Sequence, residues 1–174
     1  MADDAILKGK RILIVDDEPD VLETLEELLS QCLIDKAPSF ETGIKFLNKN
    51  IYDLAIFDIM GVKGYELLRT AAEKGIPAIM LTAHALSPDN LIKSIKGGAQ
   101  SYVPKDKLPE IVSFVRDILE ASQKGDRKPG GWFLRLKPFF DKHFGPEWRE
   151  KDKDFWQEFD HQNIISKKDL EEIL

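Results

Sequence analysis

The chain has 174 residues, 43% of them apolar and 32% charged, with a formal net charge of −6 and one cysteine. That balance fits a globular protein with room for one ordinary domain and an appendage. It lacks the basic footprint of a nucleic-acid binder, and no apolar run approaches the roughly 18 residues that cross a bilayer. The acidic start, Met1-Ala-Asp-Asp-Ala5, has no signal-peptide core. A cytoplasmic protein is therefore expected, with no nucleic-acid or membrane partner. Cys32 has no second cysteine to pair with and reads as a small buried hydrophobe.

Apolar strands and helical patterns alternate from Lys10 to about Lys124. A first strand, 10–15, is closed by Asp16-Asp17. A helix over 19–31 follows, with Val21, Leu22, Leu25, Leu28 and Leu29 at helical spacing and Pro19 in its first turn. Next come a strand at 33–37 and a helix at 40–49. The third strand, 53–57, is closed by Asp58, and a helix at 65–74 follows. The fourth strand, 78–81, precedes Thr82. Ser87-Pro88-Asp89 opens a helix over 87–96 and Gly97-Gly98 closes it. The fifth strand, 100–103, precedes Lys105, and a helix over 108–124 ends the series. The first, third and fourth strands are nearly continuous apolar runs, as expected where both faces are covered. Five βα units predict an α/β, doubly wound, five-stranded parallel sheet with right-handed crossovers.

Composition changes at Gly125. Residues 1–124 read as one domain, 125–131 as a linker rich in Gly, Lys and Pro, and 132–174 as a helical, aromatic-rich extension. The extension holds all three tryptophans and six of the ten phenylalanines. Glu147 to Phe159 is predicted to set Trp148, Phe155, Trp156 and Phe159 on one helical face. Ser166 and Asp169 resemble a capping box before a short helix with Leu170, Ile173 and Leu174. Trp132 to Phe140 has some interfacial character but lacks the basic excess of a membrane-surface helix. The aromatic stripe is expected to build a small core against the first domain. In the 108–124 helix, Ile111, Val112, Phe114, Val115, Ile118 and Leu119 span about 160° of arc, more than the roughly 100° needed to face one layer. The extension, or a second copy, is expected to cover the excess.

In an open parallel sheet, ligands bind outside the carboxyl ends of the strands. Asp16, Asp17, Asp58, Thr82 and Lys105 all fall at such ends, so one cleft should collect them. Crowded carboxylates repel unless a hard divalent cation sits among them. A cation, a carboxylate nucleophile, a hydroxyl and a lysine are the parts needed to move a phosphoryl group onto aspartate. His84 falls at the cleft rim and reads as a solvated loop residue. His143 and His161 have no companion ligands at metal-site spacing.

Residues 8–124 resemble the receiver domain of bacterial two-component response regulators. The resemblance rests on Ile12-Leu-Ile-Val-Asp-Asp-Glu18, Asp53-Leu-Ala-Ile-Phe-Asp58, Met80-Leu-Thr-Ala83 and Gly98-Ala-Gln-Ser-Tyr-Val-Pro-Lys105. It implies a flavodoxin-like sheet of strand order 2-1-3-4-5 and a switch that works through protein contacts. In that reading Asp58 accepts a phosphoryl group from a histidine kinase or phosphotransfer protein. Asp17 binds Mg²⁺ directly, Asp16 largely through water, and the Met60 backbone carbonyl adds a ligand. Thr82 and Lys105 hold phosphoryl oxygens, and Tyr102 is the switch aromatic that moves inward. No metabolite turnover is expected, although the chain could dephosphorylate itself. Output would pass to a downstream protein or through self-dimerisation. Two departures stand out. The segment Asp58-Ile-Met-Gly-Val-Lys-Gly64 is shorter than the family's and lacks its proline. Asp106, not proline, follows Lys105, while Pro104 precedes it.

The alternative is a non-phosphorylated interaction module with the same fold. An aspartyl-phosphate hydrolase would want a second aspartate at the position that Met60 occupies. DNA binding by the extension is disfavoured by its balanced charge.

Overall fold

The computed structural model describes residues 4–84, 86–125 and 131–162. Five parallel strands form one sheet: β1 (Arg11–Val15), β2 (Leu33–Ala37), β3 (Leu54–Asp58), β4 (Ala78–Thr82) and β5 (Ser101–Pro104), in the order β2-β1-β3-β4-β5. The helices are α1 (Pro19–Leu28), α2 (Phe40–Lys49), α3 (Gly64–Glu73), α4 (Pro88–Lys96), α5 (Ile111–Gln123), α6 (Gly131–Phe144) and α7 (Lys153–Gln162). Fold class and strand order agree with the expectation. So do the helices of the first domain, apart from their ends. α1 stops at Leu28, and residues 105–110 form a 3-10 turn before α5.

Every residue of β3 and β4 is buried, which explains why both read as unbroken apolar runs. β2 is an edge strand with the charged pair Asp35-Lys36 inside it, a composition that discourages pairing with other chains. At the other edge, β5 is covered by α6. Ser39 and Ser87 cap α2 and α4, their hydroxyls accepting from the Thr42 and Asn90 amides. Cys32 is buried and donates to the Leu7 carbonyl at 3.3 Å, and burial pushes its thiol up to about 11, so it is inert packing. Pro104 sits in the extended region, and no cis peptide occurs among the described residues.

The extension differs from its prediction in one respect. Residues 147–159 are not one helix. Gly145, at φ 91°, ends α6. Turns then carry Trp148, a 3-10 turn spans Glu150–Asp152, and α7 starts at Lys153. The four aromatics still converge, because the turn folds Trp148 back onto Trp156 with ring centroids 5.1 Å apart. Trp132, Phe133, Leu136 and Phe140 of α6 are buried, so the interfacial look of that segment marks a core and not a membrane-facing helix. Among the described residues no helix is long and apolar enough to cross a membrane. The capping box at Ser166 and the apolar residues after it lie outside the described residues, as does most of the linker.

The extension packs across α4, β5 and α5. Phe140 meets the Tyr102 ring at 6.0 Å. Arg135 donates to Ser113 at 2.8 Å and to Asp117 at 2.9 Å, and its guanidinium lies 4.1 Å from the Phe114 ring centroid. α5 packs against the Asp4–Leu7 turn and α1, and the extension meets it through Arg135 at Ser113, Phe114 and Asp117.

Candidate functional site

β1 has β2 on one side and β3 on the other, so the crossovers leaving β1 and β3 diverge to opposite faces and open a crevice at their carboxyl ends. Asp16 and Asp17 leave β1 at this crevice, and Asp58 ends β3 beside it. Thr82 ends β4, one strand further on, and pairs in register with Pro104. Lys105 follows directly. The backbone alone therefore gathers the predicted set.

Lys105 ties the crevice together. Its Nζ lies 3.0 Å from Asp16 Oδ2, 3.2 Å from Asp58 Oδ1 and 2.9 Å from Glu18 Oε1. Burial works against its positive charge. The hydrogen bond to Glu18, the close contact with Asp16 and the charges of Asp16 and Asp58 outweigh that and raise its pKa. Asp16 is fully buried and Asp58 is 5% exposed. Burial, and then the neighbouring Asp16 charge, push Asp58 up to about 6 against the pull of Lys105. Burial also raises Asp16, although its Oδ1 accepts from the Glu18 amide at 2.9 Å. One ammonium does not fully offset two buried carboxylates, and the site has more negative charge than its lysine neutralises.

The residues present fit a divalent cation. Carboxylate oxygens of Asp16, Asp17 and Glu18 all lie within 4.8 Å of one another. Asp16 Oδ2 is buried, and its 3.0 Å ion pair with the Lys105 ammonium lacks the alignment of a hydrogen bond. Hard oxygen donors and excess negative charge are what Mg²⁺ selects. Sequence reasoning missed Glu18. Its place next to Asp16-Asp17 was the available signal, and the hydrogen bond to Lys105, which lowers its pKa, was not readable from the chain.

The short loop after Asp58 works by close approach. Gly61 has φ 86°, and a Cβ there would stand 2.4 Å from Asp17 Oδ2. A Cβ on Gly64, the first residue of α3, would stand 2.2 Å from the Asp58 carbonyl oxygen. Lys63 holds a left-handed φ of 52°, so the turn is tight. Glycine at 61 lets the loop press on the Asp17 carboxylate and hold it at the crevice. Met60 lies between Asp58 and Gly61 and is 57% exposed.

Thr82 is 1% exposed, and its Oγ1 lies beside the Tyr102 hydroxyl without the alignment of a hydrogen bond. Tyr102 is fully buried with its ring inward. Its hydroxyl accepts from the Ser87 amide at 3.3 Å. Burial pushes that phenol up to about 12, with the Ser87 amide and the Thr82 hydroxyl opposing the rise. His84 is exposed at the rim, and its charge helps lower the Glu18 pKa. His143 stacks on Phe139 at 4.0 Å within α6. Neither it nor His161 joins a ligand cluster among the described residues.

The carboxylate cluster sets a measurable expectation. Asp17→Ala should weaken Mg²⁺ binding at least tenfold, about 1.4 kcal/mol. Asp16→Ala should do less if it acts through water. Unchanged Mg²⁺ titrations in both variants would mean the crevice is no metal site.

Comparison with known proteins agrees with this geometry. Residues 12–116 match the family profile described as "Response regulator receiver domain". The chain is 38% identical over 103 residues to two-component response regulator ARR18 of Arabidopsis thaliana, covering 56% of this chain and 16% of that protein. It is 34% identical over 113 residues to heme response regulator HssR of Staphylococcus aureus, covering 62% of this chain and 50% of that protein. The chain thus spans half or less of the length of these relatives. Among solved structures it resembles a CheY-like receiver domain protein from Methanospirillum hungatei (TM-score 0.63, 28% identity, 68% of this chain and 99% of that one). It also resembles the BeF3-activated DrrB receiver domain (TM-score 0.60, 26% identity, 64% of this chain and 98% of that one).

Proposed function

Because the chain belongs to the response regulator receiver domain family, we propose that it is a phosphorylatable signalling switch with Asp58 as the acceptor. The observation that carries this reading is the three-way contact of Lys105 with Asp16, Glu18 and Asp58 in a buried crevice. A histidine kinase or phosphotransfer protein would be the donor. An Asp58 carboxylate oxygen attacks phosphorus, a P–O bond forms and the P–N bond to the donor imidazole breaks. The electron pair leaves with the imidazole, which then takes a proton. Lys105 releases Asp58 and turns its ammonium to the phosphoryl oxygens, where negative charge builds. Thr82, whose buried hydroxyl makes no aligned hydrogen bond, donates to another of those oxygens. Mg²⁺ held by Asp16, Asp17, Asp58 and the Met60 carbonyl would neutralise charge on the acceptor and the transferred group. Glu18 keeps Lys105 poised at the mouth of the crevice before transfer.

The chain would act in the cytoplasm by shifting between two surface states. The output would be a downstream protein or a second copy of the chain. No metabolite is turned over in this reading, although hydrolysis of the acyl phosphate resets the switch.

With a small acyl-phosphate donor and Mg²⁺, intact-mass spectrometry should show one added phosphate on the wild type and none on Asp58→Asn. Equal labelling of the variant would assign the acceptor elsewhere. No labelling of either protein would favour the constitutive interaction module.

A further inference from the structure

A trough runs between α3 and α4. It joins two hollows of about 520 and 380 Å³ that share Tyr65, Arg69 and Lys93. Its floor is apolar. Leu68 and Ala72 line it from α3, and α4 closes on them through Gly97, where a Cβ would stand 2.8 Å from Leu68 Cδ2. Its walls are charged and polarised. Glu73 stands at the end where both helices finish. Lys63, Arg69 and Lys93 line the end where α3 begins, against Glu66 alone. Lys93 lies over the Tyr65 ring at 4.2 Å and Lys63 over the Phe40 ring at 5.1 Å, while Arg69 is exposed. None of these three cations has a carboxylate partner among the described residues.

The α6–α7 hairpin brings the chain to this trough. α7 runs beside α4 in the same direction. Lys151, just before α7, lies 3.8 Å from Asp89 at the start of α4, and the Phe155 ring lies 5.6 Å from Lys96 at its end. Lys93 faces α3, so α4 stands between α7 and the trough. From Phe155 to Gln162, the last residue of α7, the helix advances about 10 Å and so passes the end of α4. Asn163-Ile-Ile165, if extended, spans about 10 Å, the width of a helix. The short helix expected from Ser166 to Leu174 would be about 14 Å long, against about 15 Å for α3. It carries Leu170, Ile173 and Leu174 on one face, Lys167-Lys168 at its start, and Asp169, Glu171 and Glu172 after them.

We propose that the α3–α4 trough is a docking surface whose occupant is the chain's own segment 163–174, entering at the Glu73 end. In that direction Lys167 and Lys168 meet Glu73, and the acidic residues after them meet Arg69, Lys93 and Lys63. Leu170, Ile173 and Leu174 cover Leu68, Ala72 and Tyr65. The reverse direction would set like charges together at both ends, so charge fixes the polarity. An amphipathic helix laid into an apolar groove is a recurring mode of recognition, and the tether to α7 supplies a high effective concentration. The proposal does not depend on Asp58 being the acceptor. The far end of the trough, at Lys63 and Gly64, is nonetheless the turn that follows Asp58.

The test uses the full chain. A carbodiimide, which joins a lysine amine to a carboxylate in direct contact, should link Lys93 or Lys63 to Asp169, Glu171 or Glu172, as located by peptide mass spectrometry. Hydrogen exchange over 166–174 should be at least tenfold slower than in the free peptide of that sequence. Arg69→Glu changes an exposed residue without an ion-pair partner, so the fold survives it. It should cut both the links and the protection at least fivefold. Adding Glu172→Arg should restore both, with the links scored at Asp169 and Glu171. Exchange at the free-peptide rate would overturn the proposal, whatever stray links form. Protection without these links, or protection unchanged in Arg69→Glu, would seat the segment elsewhere and overturn the trough as its site. In an equal mixture of ordinary and 15N-labelled chain, links should join residues of like isotope. Mixed links would overturn the tethered occupant and give the trough to a second copy.

Discussion

Cutting the chain after Lys124 should cost the remaining domain up to about 3–6 kcal/mol of stability, the worth of uncovering two large side chains at about 1.5–3 kcal/mol each. Tyr102 and Phe114 are the two in question. Phe140 and Arg135 cover them in the intact chain, and both are essentially inaccessible to solvent. Loss of α6 also strips β5 of its cover and leaves an exposed sheet edge. Urea unfolding would read the stability, and light scattering would read association of the bared face. A truncated domain that is equally stable, monomeric and free of dye-binding apolar surface would show that the hairpin covers nothing of consequence.

Asp58→Asn should stabilise the protein in chelator at pH 7, by up to about 3 kcal/mol. Burial and the Asp16 charge hold the Asp58 carboxyl at about 6, against an ordinary value of 3.8. The shift of about two units converts at 1.36 kcal/mol per unit. The sign follows from linkage. A carboxyl whose folded pKa is raised binds its proton more tightly in the folded state, so folding loses stability as pH rises through the window from about 4 to 6. Above it the full penalty of the buried charge is present, and the neutral amide removes it. Lys105 still keeps Asp16 and Glu18 as partners in the variant. The stability difference between variant and wild type should therefore shrink as pH falls from 7 to 4, and Mg²⁺ should narrow it at pH 7. A variant less stable than wild type at pH 7 without metal would mean that the Lys105 contact outweighs the burial penalty.

Most of the fold could be read from the chain because its strands are short apolar runs with chemistry at their ends. Ile12 to Val15, Leu54 to Phe57 and Ala78 to Leu81 are fully buried or nearly so, and such positions leave little freedom of residue type. The placement of Asp16, Asp58, Thr82 and Lys105 followed from topology, since parallel strands present their carboxyl ends together. Glu18 did not follow. Its side chain folds back to a lysine 87 residues away, and nothing local in the sequence encodes that. Trp148 escaped for a related reason. Its spacing from Phe155, Trp156 and Phe159 fits a helical face, yet Gly145 breaks the helix and tertiary packing restores the alignment. The role of Gly61 depends on where a loop passes relative to Asp17, a distance that no periodicity records.

The hairpin's cover has a consequence in time. A ribosome adds about 5–20 residues per second, so roughly 2–8 s separate the completion of α5 from that of α7. During that interval the receiver's sheet is whole while Tyr102, Phe114 and the β5 edge lie bare. Nascent chains crowded on one message would present these edges to one another before their own hairpins arrive. The expression yield of this protein should therefore depend on translation speed through residues 124–162, and on any chaperone that shields β5 until α6 lies over it.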